Sequence, residues 1–176
     1  RHGLPYMLSG DWNDGMDRVG DNGGESVWLG WFLLDVLGRM EKMANRLNKK
    51  ADAKRFAVRR ERLRTNLEKT WDGAWYPRAY YGDGTPLGTM ENAMCRIDCI
   101  SQAWAAICGG ERAGEAMDSL LSMLYEEQEG IVKLLVPPFE PSDRPVGYIQ
   151  SYIPGVRENG GQYAHGAAWA VKGLCA

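Results

Sequence analysis

Glu25-Ser26-Val27-Trp28-Leu29-Gly30-Trp31-Phe32-Leu33-Leu34-Asp35-Val36-Leu37 is the stretch from which the fold is read. Val27, Trp28, Leu29, Trp31, Phe32, Leu33, Leu34, Val36 and Leu37 are apolar on nearly every side of a helix. A helix without a polar face must be surrounded, so this one lies inside a larger body. Glu25 and Ser26 open it; it runs to about Leu47 and turns polar near Glu41 to Arg46. Upstream, residues 1–24 hold Gly10-Asp11-Trp12-Asn13-Asp14-Gly15 and Gly20-Asp21-Asn22-Gly23-Gly24. Gly, Asn and Asp favour turns, so this segment reads as a loop.

Downstream, more helices follow. Phe56, Leu63, Leu67 and Trp71 recur at helical spacing and predict a second helix over 51–70. Residues 74–90, with Trp75, Tyr76, Tyr80 and Tyr81 before Gly82-Asp83-Gly84, read as a hairpin or long loop. A third helix is expected over 97–108, stopped by Gly109-Gly110, and a fourth over 112–126 with Ala113, Ala116, Met117, Leu120, Leu121 and Leu124 as its stripe. A long loop over 136–163 leads to a last helix starting near His165. Paired helices joined by long, polar loops suit an all-α helical barrel or toroid whose loops line one end. Loops of this length are uncommon unless functional. No βαβ alternation and no Gly-rich phosphate motif after a strand is present, which disfavours a nucleotide-binding α/β fold.

The balance of charge excludes other classes. The 176 residues carry a net charge of −2, which gives no electrostatic footprint for nucleic acid or an anionic membrane. The basic stretch 54–64 interleaves with Phe56, Val58 and Leu63 and reads as a solvated helix face. Cys95, Cys99, Cys108 and Cys175 form no CxxC pair and read as buried free thiols. With His2 and His165 the sole histidines, no metal site is expected. Seven Trp and eight Tyr supply rings of the kind that stack on sugars, although aromatic rings also fill cores.

Two loops carry the chemistry. The first brings Asp11, Asp14 and Asp17 close in sequence, with Trp12 between two of them. Cleaving a glycosidic bond needs an acid to protonate the leaving oxygen, and a carboxyl beside an apolar wall can serve. Spacing leaves open which aspartate that is, and a loop of Asx turns without catalysis has the same composition. The second loop reads Gly155-Val156-Arg157-Glu158-Asn159-Gly160-Gly161-Gln162-Tyr163-Ala164-His165. Its glycines permit close backbone approach, and a helix start with Arg157 and His165 nearby suits an anion such as phosphate.

These motifs, with Gly24-Glu25-Ser26-Val27-Trp28-Leu29, resemble the family 94 glycoside phosphorylases. The resemblance covers nearly the whole chain. Trp71-Asp72-Gly73-Ala74-Trp75-Tyr76, Asp83-Gly84-Thr85-Pro86-Leu87-Gly88 and Cys95-Arg96-Ile97-Asp98 point toward its β-1,2-oligoglucan phosphorylases and the C-terminal domain of cyclic β-1,2-glucan synthases. It implies part of an (α/α)6 barrel and an inverting phosphorolysis, with inorganic phosphate as co-substrate and no other cofactor. By the motif, Asp14 is the general acid. Trp12, Arg157, Glu158 and Tyr152 bind sugar, and His165 contacts phosphate.

The segment 1–176 is then expected to be an internal piece of the catalytic domain, with an N-terminal β-sandwich and the barrel ends outside it. The expected function is cleavage or formation of β-glucosidic bonds, with β-1,2-glucan as substrate. The alternatives are the chain-length-controlling domain of a cyclic glucan synthase and a non-catalytic carbohydrate-binding barrel. Expected partners are oligosaccharide and phosphate, the remainder of the barrel and a second copy of the full-length enzyme, with no nucleic acid. The expected location is the cytoplasm, or the inner membrane for a synthase.

Overall fold

The computed structural model describes residues 1–142 and 144–176. Its long elements are five helices: α1 (Val27–Arg46), α2 (Lys50–Glu68), α3 (Cys99–Ile107), α4 (Ala113–Leu124) and α5 (Ala164–Leu174). Each lies where the sequence places one. Ser26 caps α1, its hydroxyl accepting from Leu29 N at 3.0 Å, and Asp98 caps α3, its carboxylate accepting from Ile100 N at 2.9 Å. The third helix ends as Gly109-Gly110 requires: Gly109 is left-handed, and Gly110 N and Gly109 N donate to Ala105 O and Ala106 O.

All of α3 from Cys99 to Ala106 is buried, and it touches α1, α4 and α5. It is therefore the centre of the packing, with α1 backed by α2 on one side. Trp31, Leu34, Leu67, Ile100, Ala103, Leu120 and Leu124 form the main core. Complete burial of one such large side chain is worth roughly 1.5–3 kcal/mol. The apolar helix α1 is only partly surrounded: Trp31 is fully buried, but Phe32 is 37% exposed. Leu33, Leu37, Leu63 and Leu4 line an open cleft of about 360 Å³ between α1 and α2. The basic stretch on α2 faces outward, with Lys54, Arg55, Arg59 and Arg62 exposed.

Among the described residues, seven strands of two residues each go beyond the single hairpin or long loop expected from sequence. β1 (Glu25–Ser26), β2 (Ala79–Tyr80) and β3 (Pro86–Leu87) pair antiparallel, so the expected hairpin exists and is extended by a third strand. β4 (Ile97–Asp98) pairs with β7 (Leu135–Val136), and β5 (Tyr125–Glu126) with β6 (Ile131–Val132). β1 and β4 immediately precede α1 and α3, so each capping residue sits at the end of a paired strand. The described residues of the two long loops pack against each other. Met7, Met16, Val19, Phe139, Val146 and Ile149 bury a second, smaller core between them. Among the cysteines, Cys95 and Cys99 are buried, but Cys108 is half-buried and Cys175, at the end of α5, is exposed. No described helix is long and apolar enough to cross a membrane.

Candidate active site

The first loop opens with a tether. Asp11 accepts two bonds from Arg78, Nη2 to Oδ1 at 2.5 Å and Nη1 to Oδ2 at 2.7 Å. It also accepts from Ser26 Oγ at 2.5 Å and from the Asn13 amide at 3.0 Å. Neither its side chain nor that of Arg78 is exposed to solvent. Burial alone would raise the Asp11 carboxyl, but the Arg78 charge and these hydrogen bonds outweigh it and hold it below its ordinary value. Asp11 is thus committed to the protein. Asp17 turns toward the second loop and accepts from Tyr148 N at 3.3 Å. Asp14, at the start of a short 3-10 turn (Asp14–Met16), is the exposed one of the three.

The second loop abuts the first. Arg18 N donates to Val146 O at 3.0 Å, and a second 3-10 turn (Tyr148–Ser151) packs on the one holding Asp14. Gly147 makes that contact possible. Its φ is 139°, and a Cβ there would stand 2.3 Å from both Asp17 Oδ1 and Gly15 O. Tyr148 comes close to Asp14, whose carboxylate pushes its phenol up to about 12. The charge of Glu158 raises the Tyr163 phenol. Arg157 pairs with Glu158, Nε to Oε2 at 3.4 Å, and its guanidinium lies 4.6 Å from the Tyr152 ring centroid. Tyr148 and Tyr152 meet edge to face at 6.0 Å.

Trp12 faces the start of α5. Its ring lies 5.2 Å from Tyr163, 5.7 Å from His165 and 5.5 Å from Trp169, in each case edge-on. Trp169 continues the aromatic contact inward to Trp28 at 5.9 Å and Trp104 at 5.5 Å. The N-terminus of α5 has no side-chain cap, so its first amides stay open beside the exposed His165.

The six residues singled out from sequence, Trp12, Asp14, Tyr152, Arg157, Glu158 and His165, therefore share one surface, linked through Tyr148 and Tyr163. Sequence reasoning did not select those two tyrosines, nor Trp169. Trp169 had a signal, since it follows His165 by four residues on one helix face. Tyr148 had none before the loops were seen to meet. The glycines of the second loop differ from expectation in what they approach. A Cβ on Gly160 would meet Pro138 at 2.9 Å, and one on Gly161 would meet Arg157 O at 2.9 Å. Their close contacts are within the protein.

A fixed array of one exposed carboxylate, paired basic and acidic side chains and edge-on aromatic rings is a surface suited to sugars. The model of the glycosyl hydrolase 94 superfamily, catalytic domain, matches residues 1–176, and the chain belongs to that family. It is 47% identical over 180 residues to the cyclic beta-(1,2)-glucan synthase NdvB of Rhizobium meliloti, across 99% of this chain and 6% of that protein. It is 31% identical to solabiose phosphorylase of Paenibacillus borealis (99% of this chain, 23% of the relative). It is 28% identical to cellobionic acid phosphorylase of Neurospora crassa (98% and 22%). The chain thus spans less than a quarter of the length of these relatives.

Proposed function

We propose that this chain forms part of the (α/α)6 catalytic barrel of an inverting glycoside phosphorylase that acts on β-1,2-linked glucan. The remainder of the barrel comes from the rest of the polypeptide and covers the open side of α1. In the proposed reaction Asp14 protonates the leaving glycosidic oxygen while phosphate attacks the anomeric carbon from the opposite face. The C–O bond to the leaving sugar breaks, and a bond to phosphate forms with inversion, giving α-glucose 1-phosphate. Phosphate is already an anionic nucleophile, so it needs placement and charge balance rather than a second carboxylate as base.

Trp12 and Glu158 hold the sugar next to the scissile bond, with Arg157 fixing Glu158. Tyr152 serves the leaving-group side. His165 and the open amides of α5 bind phosphate. No metal or organic cofactor enters this scheme. The observation that carries it is the meeting of the two motifs: Trp12, two residues before the exposed Asp14, lies edge-on against Tyr163 and His165 of the second. The full-length protein, incubated with β-1,2-linked glucooligosaccharide and phosphate, should release glucose 1-phosphate. Release of free glucose without phosphate consumption would replace this reading by hydrolysis.

The 47% identity to a cyclic glucan synthase favours a second reading of the same chemistry, in which the domain trims or sets the length of a glucan made elsewhere in a larger polypeptide. A glycosyltransferase activity in the same full-length protein would select that reading.

A further inference from the structure

We propose that Arg78 is the positioning residue of the proposed acid: through Asp11 it fixes the turn that presents Trp12 and Asp14 at the site. The inference rests on the reading of Asp14 as general acid. Arg78 lies on the hairpin side, just before β2, and its side chain is fully buried. Its backbone is held on both sides: Arg78 N donates to Leu87 O at 2.8 Å and Arg78 O accepts from Val27 N at 3.2 Å. From that fixed base the guanidinium forks onto both oxygens of Asp11, approaches Ser26 Oγ at 3.4 Å, and turns Nε toward Asp98 Oδ2 at 3.3 Å. Ser26 and Asp98 are the capping residues of α1 and α3. One cation therefore joins the first motif to the N-termini of the two most buried helices.

Direction is what this arrangement supplies. A buried ion cluster is a poor source of stability, since apolar side chains of like volume fill such a space as well or better. A planar guanidinium bonded twice to one carboxylate fixes orientation in a way apolar packing does not. Asp11 passes that orientation on, because its Oδ1 also accepts the Asn13 amide at 3.0 Å and so closes the turn immediately before Asp14. Catalytic groups depend on such placement: displacement of about 1 Å can cost about 10²-fold in rate.

The test uses the full-length protein, the variants Arg78→Lys, Asp11→Asn, Asp14→Asn and Arg78→Lys/Asp14→Asn, and two substrates. An unactivated β-glucan needs the acid, whereas a dinitrophenyl β-glucoside has a leaving group that departs without a proton. Arg78→Lys and Asp11→Asn should each lower kcat for the glucan by about 10-fold or more and for the aryl glucoside by less than about 3-fold. In the Asp14→Asn background, Arg78→Lys should add little further loss, because both changes act on one group. Equal losses on both substrates, or additive losses in the double variant, would overturn the positioning role and leave Arg78 structural. Should Arg78→Lys fail to fold, Asp11→Asn, which keeps the shape and removes the charge, carries the same comparison. A wild-type protein without phosphorolysis, or an Asp14→Asn variant of undiminished rate, would instead sink the functional reading, and this inference with it.

Discussion

Arg78 Nε lies 3.3 Å from Asp98 Oδ2, within ion-pair range, yet the two atoms are not aligned as a hydrogen bond and neither has another partner. Asp98 is therefore the weaker-held of the two carboxylates on this cation. Burial raises it, Arg78 lowers it only in part, and it comes to rest at about 6. Unfolded, the same group titrates near 3.8. Between these values the folded state keeps a proton that the unfolded chain has released, so stability falls as pH rises through this window. A gap of about two pH units corresponds to about 3 kcal/mol. Asp11, held low, acts in the opposite sense and only in stronger acid.

Asp98→Asn keeps a good cap for α3 and removes the titration. Denaturant unfolding of the full-length protein between about pH 4 and pH 6 should show the decline in stability for wild type, and a flatter profile for the variant. Identical profiles would mean that Asp98 is ionised throughout.

Asp14→Asn should lower phosphorolysis of unactivated glucan by about 10²–10⁴-fold, the usual cost of removing a general acid, while glucan binding is retained. Steady-state kinetics with a parallel binding measurement separates the two. A near wild-type kcat would remove Asp14 from the chemistry.

His165→Ala should raise KM for phosphate more than KM for glucan. His165 also lies against Trp12 at 5.7 Å, so some effect on the sugar is expected. Equal changes in both constants would assign His165 to holding Trp12 rather than to the anion.

Gly147→Ala should separate the loops. The added methyl would enter the space of Asp17 Oδ1 and Gly15 O, at a φ that side chains rarely adopt. Strain of this kind costs about 1–3 kcal/mol. The expected result is a folded protein whose kcat for glucan drops because Tyr148 no longer meets Asp14. Circular dichroism checks the fold and glucose 1-phosphate release checks the rate; unchanged activity would show that the loops tolerate the shift.

The helices were legible for different reasons: α1 is apolar nearly all round, α2 and α4 carry apolar stripes, and α3 has an explicit stop at Gly109-Gly110. Apart from the hairpin of β2 and β3, the strands were not: two residues such as Ile97 and Asp98 contain no period to detect. The motifs around Asp14 and Glu158 were legible because close spacing and family resemblance both mark them. What spacing left open, which of Asp11, Asp14 and Asp17 is exposed, depends on Arg78, more than sixty positions away with nothing local to announce it. Tyr148 escaped for the same reason. Its partner Asp14 lies across a loop contact that only folding creates.

The edge-on meeting of Trp12 with His165 joins one end of the described chain to the other. Contacts of such large sequence separation form late, because closing a long loop is entropically costly and gains nothing until the ends meet. The interior formed by α1 to α4 can therefore assemble while the proposed catalytic surface is still in pieces. Conversely, local opening of the segment before α5 would dismantle that surface and leave the interior intact. Activity in this protein is then a more demanding gauge of complete folding than helix content, and Trp12, in contact with Tyr163, His165 and Trp169, is the residue whose fluorescence would mark the last step.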